Sequence, residues 1–332
     1  MNEKDNNHKT VMVREVLSAL HIKNPARGAL QRVAGRQARY IDATVGLGGH
    51  AIEIVKSGGN VLGIEADSES LEIARERLIE ACPDRHHTVS VPDGYRMVPV
   101  PTPSPTRGSY TLVHGNFKDL KKIALEKGFD QVDGILFDLG ISSYQLTKKI
   151  KGFSFQDSTV PLDMRLDSVN QKVTASDLLK ALNIGQLTQV FKETLTQDRA
   201  KVLAKKIIDV REKKEIKTVG DFLMVIGDDY KIKPKLHGAT LPFLALRIAV
   251  NSELDNLRQA LPQVLELLVS GGRLVVISFH SGEDRLTKHF FKVIEDSGRA
   301  LIISKKAIIP GTEEIKENPR ARSAKMRILQ KK

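Results

Sequence analysis

Residues 40–50 read Tyr40-Ile-Asp-Ala-Thr-Val-Gly-Leu-Gly-Gly-His50, a short apolar run closed by an acid and followed by glycines at 46, 48 and 49. The run reads as a buried strand from Arg39 to Thr44. Glycines after a strand let the backbone turn sharply and approach a ligand where the next helix begins. That helix, expected over about 50–57, stops at Ser57-Gly-Gly59. Outward from it the pattern repeats: strand Asn60–Glu65, helix 68–81, strand Tyr110–His114, helix 118–127, strand Val132–Asp138. Strands alternating with helices make a parallel sheet covered by helices.

Val11 to Leu20 reads as a short amphipathic helix before this unit. Residues 83–109 interrupt it: five of the 13 prolines lie between Pro92 and Pro105, which predicts an irregular surface excursion. A long loop is expected over 139–165. From Thr174 to Leu236 only helices are expected, at 174–182, 186–192, 197–213 and 218–226, which marks an inserted helical subdomain. The sheet pattern resumes with one long helix over 243–268, a strand Arg273–Phe279, a helix over 283–296 and strands near 300–308 and 323–330. The expected division is therefore 1–150, the first part of the α/β domain; 151–238, the insert; and 239–332, the second part with a basic tail.

With 41% hydrophobic and 28% charged residues in 332, the chain has the make-up of a globular protein. No apolar run approaches the roughly 18 residues that span a bilayer. Residues 1–8 resemble neither a secretory signal nor a transit peptide. Cys82 is the single cysteine, which excludes a disulfide framework and a cysteine-built zinc site within one chain. A cytoplasmic location is expected. The net charge of +12 points to a polyanionic partner or to a basic solvated surface. Half of that excess lies in residues 300–332, with nine Lys and Arg against three Glu. Aromatic residues are only 5%, with no Trp, which argues against a platform for stacking many single-stranded bases.

The glycine turn identifies a class of ligand. Gly46-Leu-Gly-Gly-His-Ala51 lacks the third glycine of a dinucleotide fingerprint, and no Lys-Ser/Thr pair follows to make a P-loop. What remains is a loop that holds the methionine portion of S-adenosylmethionine, or a turn that holds nothing. Glu65 closes the second strand about 20 residues past the loop, where a carboxylate suits ribose hydroxyls. Asp67 reads as a second such acid or as the cap of the following helix. Phe117 offers a face to an adenine ring or a side chain to the core. Asp138 closes the fourth strand, and at the carboxyl ends of such strands ligands sit. A DNA amino-methyltransferase would carry an Asp/Asn/Ser-Pro-Pro-aromatic motif there, which Asp138-Leu-Gly-Ile141 does not match.

Seven motifs carry a family resemblance: Asp42–His50, Asp138–Leu146, Gly152-Phe-Ser-Phe155, Pro161–Asp167, Arg247–Leu254, Ser278–Arg285 and Asn318–Ala324. Together they are similar to the RsmH (MraW) methyltransferase family and extend over nearly the whole chain. The resemblance implies a class I S-adenosylmethionine-dependent methyltransferase domain, Rossmann-like α/β, with an inserted helical domain. It implies methylation of the exocyclic N4 of a cytidine in the decoding region of small-subunit ribosomal RNA. The partner would be that RNA or the assembled 30S subunit, with no membrane partner and room for a homodimer. Cofactor positions carry over to Gly48, Gly49, His50, Glu65, Phe117, Asp138 and Gln145.

Methyl transfer is an in-line displacement that depends mainly on positioning. A weakly nucleophilic cytosine amine gains from a group that accepts its hydrogen bond, and Asp138, Ser142 and Ser143 are the candidates. Asp163 and Arg165 read either as walls of a target pocket or as an ion pair that holds the loop after 150. Arg247 and Asn251 belong with the target-side candidates. His280 is expected as a structural or pocket-wall residue, because no second ligand at metal spacing accompanies it. Arg320 and Arg322 could position phosphates or lie on a solvated edge strand. No metal is expected. The chain departs from the family pattern at Glu65, where Asp is usual, at Thr194-Leu-Thr-Gln197, at Thr240-Leu-Pro-Phe-Leu244 and at Gly282. The two runs in and after the insert bear on target recognition. A non-catalytic ribosome-assembly factor on the same fold is the second alternative.

Overall fold

The computed structural model describes residues 9–22, 32–33, 36–83, 87–90, 108–147, 151–227 and 237–332. The chain divides into two units, Met1–Ser142 with Asp255–Lys332, and Ser143–Leu254. In the first unit the order begins α1 (Val13–Ala19), β1 (Arg32–Val33), β2 (Arg36–Gln37), β3 (Arg39–Asp42), α2 (Gly49–Lys56), β4 (Asn60–Glu65) and α3 (Ser68–Ala81). It continues with β5 (His87–Ser90), β6 (Ser109–His114), α4 (Leu120–Glu126) and β7 (Val132–Asp138). The second unit carries α5 (Ser143–Thr147), α6 (Ala175–Ala181), α7 (Ile184–Lys192), α8 (Gln197–Arg211), α9 (Val219–Ile226) and α10 (Thr240–Asn251). The chain then runs through α11 (Glu253–Leu267), β8 (Leu268–Ser278), α12 (Ser281–Asp296), β9 (Ala300–Ile302), α13 (Thr312–Glu317) and β10 (Lys325–Lys331).

Eight strands form the main sheet in the order β5-β6-β4-β3-β7-β8-β10-β9. β10 runs antiparallel to both of its neighbours, and the other pairings are parallel. From β3 the chain steps outward through β4 to β6, then returns to lay β7 on the other side of β3. The switch point therefore lies between the ends of β3 and β7, where a doubly wound sheet opens a crevice. This is the doubly wound α/β arrangement that the alternating strands and helices predict.

Strand residues alternate between the faces. Tyr40 and Leu136 pack with α1, α2 and α3, while Ile41, Ile135 and Phe137 pack with α4, α11 and α12. With both faces covered, the strands are near-continuous apolar runs, and for that reason they were legible. Asp67 settles as the cap of α3, its carboxylate accepting the Glu69 N–H at 3.2 Å.

Four expectations change. The long helix over 243–268 is two helices, α10 and α11, broken at Ser252, which takes a left-handed φ of 50°. β8 begins at Leu268 and takes Gly271 and Gly272 into the strand, with a register shift at Val132/Gly134 of β7. Within the proline-rich stretch, residues 87–90 form a strand parallel to β6, so that part is a packed edge; 84–86 and 91–107 lie outside the described residues. β10 is an internal strand, so the residues before it do not lie on an edge strand. Residues 1–8 also lie outside the described residues.

In the second unit, capping boxes start three helices: Thr174 with Asp177, Asn183 with Gln186 and Thr218 with Asp221. Its core is aromatic. The Phe191 and Phe222 ring centroids lie 6.2 Å apart, and those of Phe222 and Phe243 5.3 Å apart. Phe243 belongs to α10, and this packing draws 239–254 into the second unit rather than into the stretch expected from 239 onward. Phe243 of the divergent run Thr240–Leu244 is thus a buried core residue. No helix among the described residues is long and apolar enough to cross a membrane.

Candidate functional site

The glycine turn is shaped by backbone geometry. Gly46 and Gly48 have φ of 52° and 83°, a region open to glycine and costly for other residues. Gly48 caps α2 with no side-chain acceptor, which leaves the first-turn N–H groups of the helix available to a polar ligand. Gly49 is small for another reason. A Cβ there would lie 1.8 Å from Thr10 Oγ1, so the N-terminal segment occupies that side of the turn. The segment is pinned by α13, whose Glu314 Oε1 accepts the Met12 N–H at 2.6 Å, and by Asn318, whose Nδ2 donates to the Lys9 carbonyl at 2.9 Å. A cavity of about 660 Å3 opens beside it, on the Gly49, Ile52, Glu53 and Lys56 face of α2, away from the strand tips.

At the switch point the tips of β3 and β7 meet the start of α2. His50 is buried, with Nε2 3.4 Å from Asp138 Oδ2. Both His50 ring nitrogens and Asp138 Oδ1 are buried without a hydrogen-bond partner among the described residues. Thr44 Oγ1 accepts the Asp138 N–H at 2.7 Å, and Asp42 Oδ1 accepts the Thr44 N–H at 3.3 Å. Glu65 grips the turn from β4: its carboxylate accepts the N–H groups of Gly46 and Asp67, each at 2.9 Å. Orphaned buried polar atoms beside a helix start are what a polar ligand would satisfy. Asp42 and Thr44 were absent from the expected site residues. Their signal lay in Asp42-Ala-Thr44 itself, but only the pairing of β3 with β7 brings Thr44 to Asp138.

Burial is the largest influence on both acids here. It pushes Asp42 up to about 6 from 3.8 and Glu65 up to about 7 from 4.5; hydrogen bonds and the charge of His50 offset part of this. A carboxyl with a raised folded pKa holds its proton longer in the folded state. It adds stability below its unfolded pKa and loses that contribution as pH rises through the folded value. The protein without cofactor is therefore expected to lose thermal stability as pH rises from about 4 to about 7. Asp42→Asn removes its share of that slope between 3.8 and about 6. Tm measured against pH for the two proteins checks this, and parallel curves contradict it.

Phe117 opens the short 3-10 turn after β6, half-buried, with its ring edge-on to Phe137 at 5.6 Å. It is anchored in the core and still presents surface. Ser142 is half-buried at the end of its part of the first unit. Gln145 is buried on α5 in the second unit.

The target-side candidates fare unevenly. Arg165 makes a two-point ion pair with Asp163, at 2.7 Å through both Nε and Nη2, and donates from Nη1 to the Gln171 carbonyl. Arg247 pairs with Glu253 in the same way, at 2.8 and 2.9 Å. The ion-pair reading accounts for both contacts. Asn251 is buried and holds a strained loop: Nδ2 donates to the Met164 carbonyl at 2.8 Å, and Oδ1 accepts the Leu166 N–H at 2.8 Å. Met164 itself has φ of 61°. Asn251→Ala leaves those groups unpaired and is expected to cost about 1–3 kcal/mol of stability; a denaturation midpoint equal to wild type contradicts this. His280 caps α12 through Nδ1, which accepts the Gly282 N–H at 3.2 Å, and Glu283 completes the box. Arg320 and Arg322 are exposed on a 3-10 turn with no ion pair or hydrogen bond among the described residues.

Residues 5–98 and 102–332 match the MraW methylase family. The chain belongs to that family. Among curated relatives, "Ribosomal RNA small subunit methyltransferase H" of Dictyoglomus thermophilum is 40% identical over 99% of this chain and 98% of its own length. The protein of the same name from Coprothermobacter proteolyticus is 36% identical over 98% and 96%. Members of the MraW methylase family thus align with this chain from end to end, helical unit included.

Proposed function

We propose that this methylase transfers the methyl group of S-adenosylmethionine to the exocyclic N4 of a cytidine in the decoding region of small-subunit ribosomal RNA. The observation that carries the reading is the switch-point cluster. A glycine turn, a ribose-type carboxylate and an uncommitted Asp138 oxygen gather at the strand tips of a family member. S-adenosylmethionine supplies a methyl carbon made electrophilic by its sulfonium. Gly48 with the first turn of α2 would hold its polar end, Glu65 its ribose, and Phe117 its adenine, with His50 and Asp138 as further walls. The target amine attacks in line, and Asp138 accepts one of its N–H groups, so that the nitrogen lone pair faces the methyl. Arg320 and Arg322, with charge uncommitted elsewhere, are the residues best placed to meet phosphates. We assign the chain to the cytoplasm, where its RNA is assembled.

The test is incubation with labelled S-adenosylmethionine and small subunits or their RNA, followed by nucleoside mass spectrometry. N4-methylcytidine is the expected product. Incorporation only into DNA would favour an amino-methyltransferase of DNA, and cofactor binding without incorporation would favour an assembly factor.

A further inference from the structure

The His50 ring is only 4% exposed, and its Nε2 lies 3.4 Å from Asp138 Oδ2. The other Asp138 oxygen, Oδ1, is buried and unpartnered. The charged groups that face the ring are Asp42 from β3, Asp138 from β7 and Glu314 from α13. Neighbouring charges are turned elsewhere. Arg77 of α3 donates to the Leu47 carbonyl, Glu65 of β4 accepts from Gly46, and Arg14 and Glu15 of α1 line a separate groove.

We propose that His50 is a positioning residue for methyl transfer, its Nε2 holding Asp138 Oδ2 as an ion-pair partner so that Oδ1 is turned toward the target amine. The inference rests on the methyl-transfer reading above. A carboxylate with one oxygen fixed by a buried imidazolium can rotate little, and it offers the second oxygen in a single direction. The ring's surroundings favour the charged form. Burial works against it, but the close contact with Asp138 and the charges of Asp138, Asp42 and Glu314 together raise His50 above its ordinary 6.5. In the transfer step the amine lone pair forms the N–C bond to the methyl carbon. The C–S bond breaks with its electron pair left on sulfur. The amine nitrogen then carries one proton too many, which passes to Asp138 Oδ1 and on to solvent.

The test uses the full chain with small subunits as substrate, wild type against His50→Ala and His50→Gln. His50→Ala should lower kcat by about 10²-fold. His50→Gln, whose amide still donates, should recover part of that loss. In both, kcat is read at saturating S-adenosylmethionine, with cofactor affinity measured separately by calorimetry, and KM for small subunits should stay within a few-fold of wild type. In a second measurement, NMR titration of the cofactor-free protein should find the His50 ring protonated to higher pH in wild type than in Asp138→Asn. An unchanged kcat in His50→Ala, a loss confined to cofactor affinity, or a His50 titration indifferent to Asp138→Asn overturns the inference while the methyl-transfer reading stands. A wild type that binds cofactor and methylates nothing overturns the reading, and this inference with it.

Discussion

Asp138→Asn is expected to lower kcat for methyl transfer by about 10²–10⁴-fold, the range for losing a positioned proton acceptor. Asparagine has the same size, and the main-chain bond from Asp138 N–H to Thr44 Oγ1 does not involve the side chain. The end of β7 should therefore stay in place, with Tm near wild type. What disappears is the carboxylate 3.4 Å from His50, and with it the oxygen proposed to accept the amine proton. Single-turnover rates with saturating small subunits isolate the step, and calorimetry separates it from cofactor binding. Turnover within a few-fold of wild type would remove Asp138 from the chemistry.

Phe137→Ala should be the most destabilising single change near the site. Phe137 is fully buried in the core formed by β7 with α4, α11 and α12, and its ring supports Phe117 edge-on at 5.6 Å. Removing a buried phenyl ring costs about 3–5 kcal/mol through lost transfer energy and the cavity left behind. For a unit of this size that corresponds to a fall in Tm on the order of 10 °C. The same substitution leaves Phe117 without its backing, so cofactor affinity should fall as well. Phe137→Leu refills part of the space and should cost less than half as much. Equal stability of Phe137→Ala and wild type in denaturant would mean that the core closes over the gap.

The structure also orders the target-side residues by how committed they are. Arg165 and Arg247 each spend their guanidinium on a carboxylate, and Asn251 spends its amide on the Met164–Leu166 backbone. Sequence spacing placed Asp163 two residues from Arg165, which made their pairing readable in advance. It gave no hint that Asn251 would be consumed by a loop 87 residues away. The divergent run 240–244 looked like a change in a binding surface, yet Phe243 lies in the aromatic core of the helical unit.

What the sequence determined by itself was the list of elements and the nature of the turn. Buried parallel strands must be apolar runs, helices must keep a 3.6-residue period, and a left-handed turn needs glycine, so each leaves a local mark. Tyr40–His50 therefore declared a strand, a turn and a helix start, and Asp67 declared a cap. Only the tertiary structure decided the neighbours of those elements. Strand order is set by packing across the whole sheet, and a local pattern does not record it. Laying β7 beside β3 brings Asp138 to His50 and Thr44, and turns a glycine loop into one wall of a site with an uncommitted acid at its centre. The break at Ser252 left no local mark either: the helical period runs on through it, yet Ser252 takes a left-handed φ of 50° that ends α10.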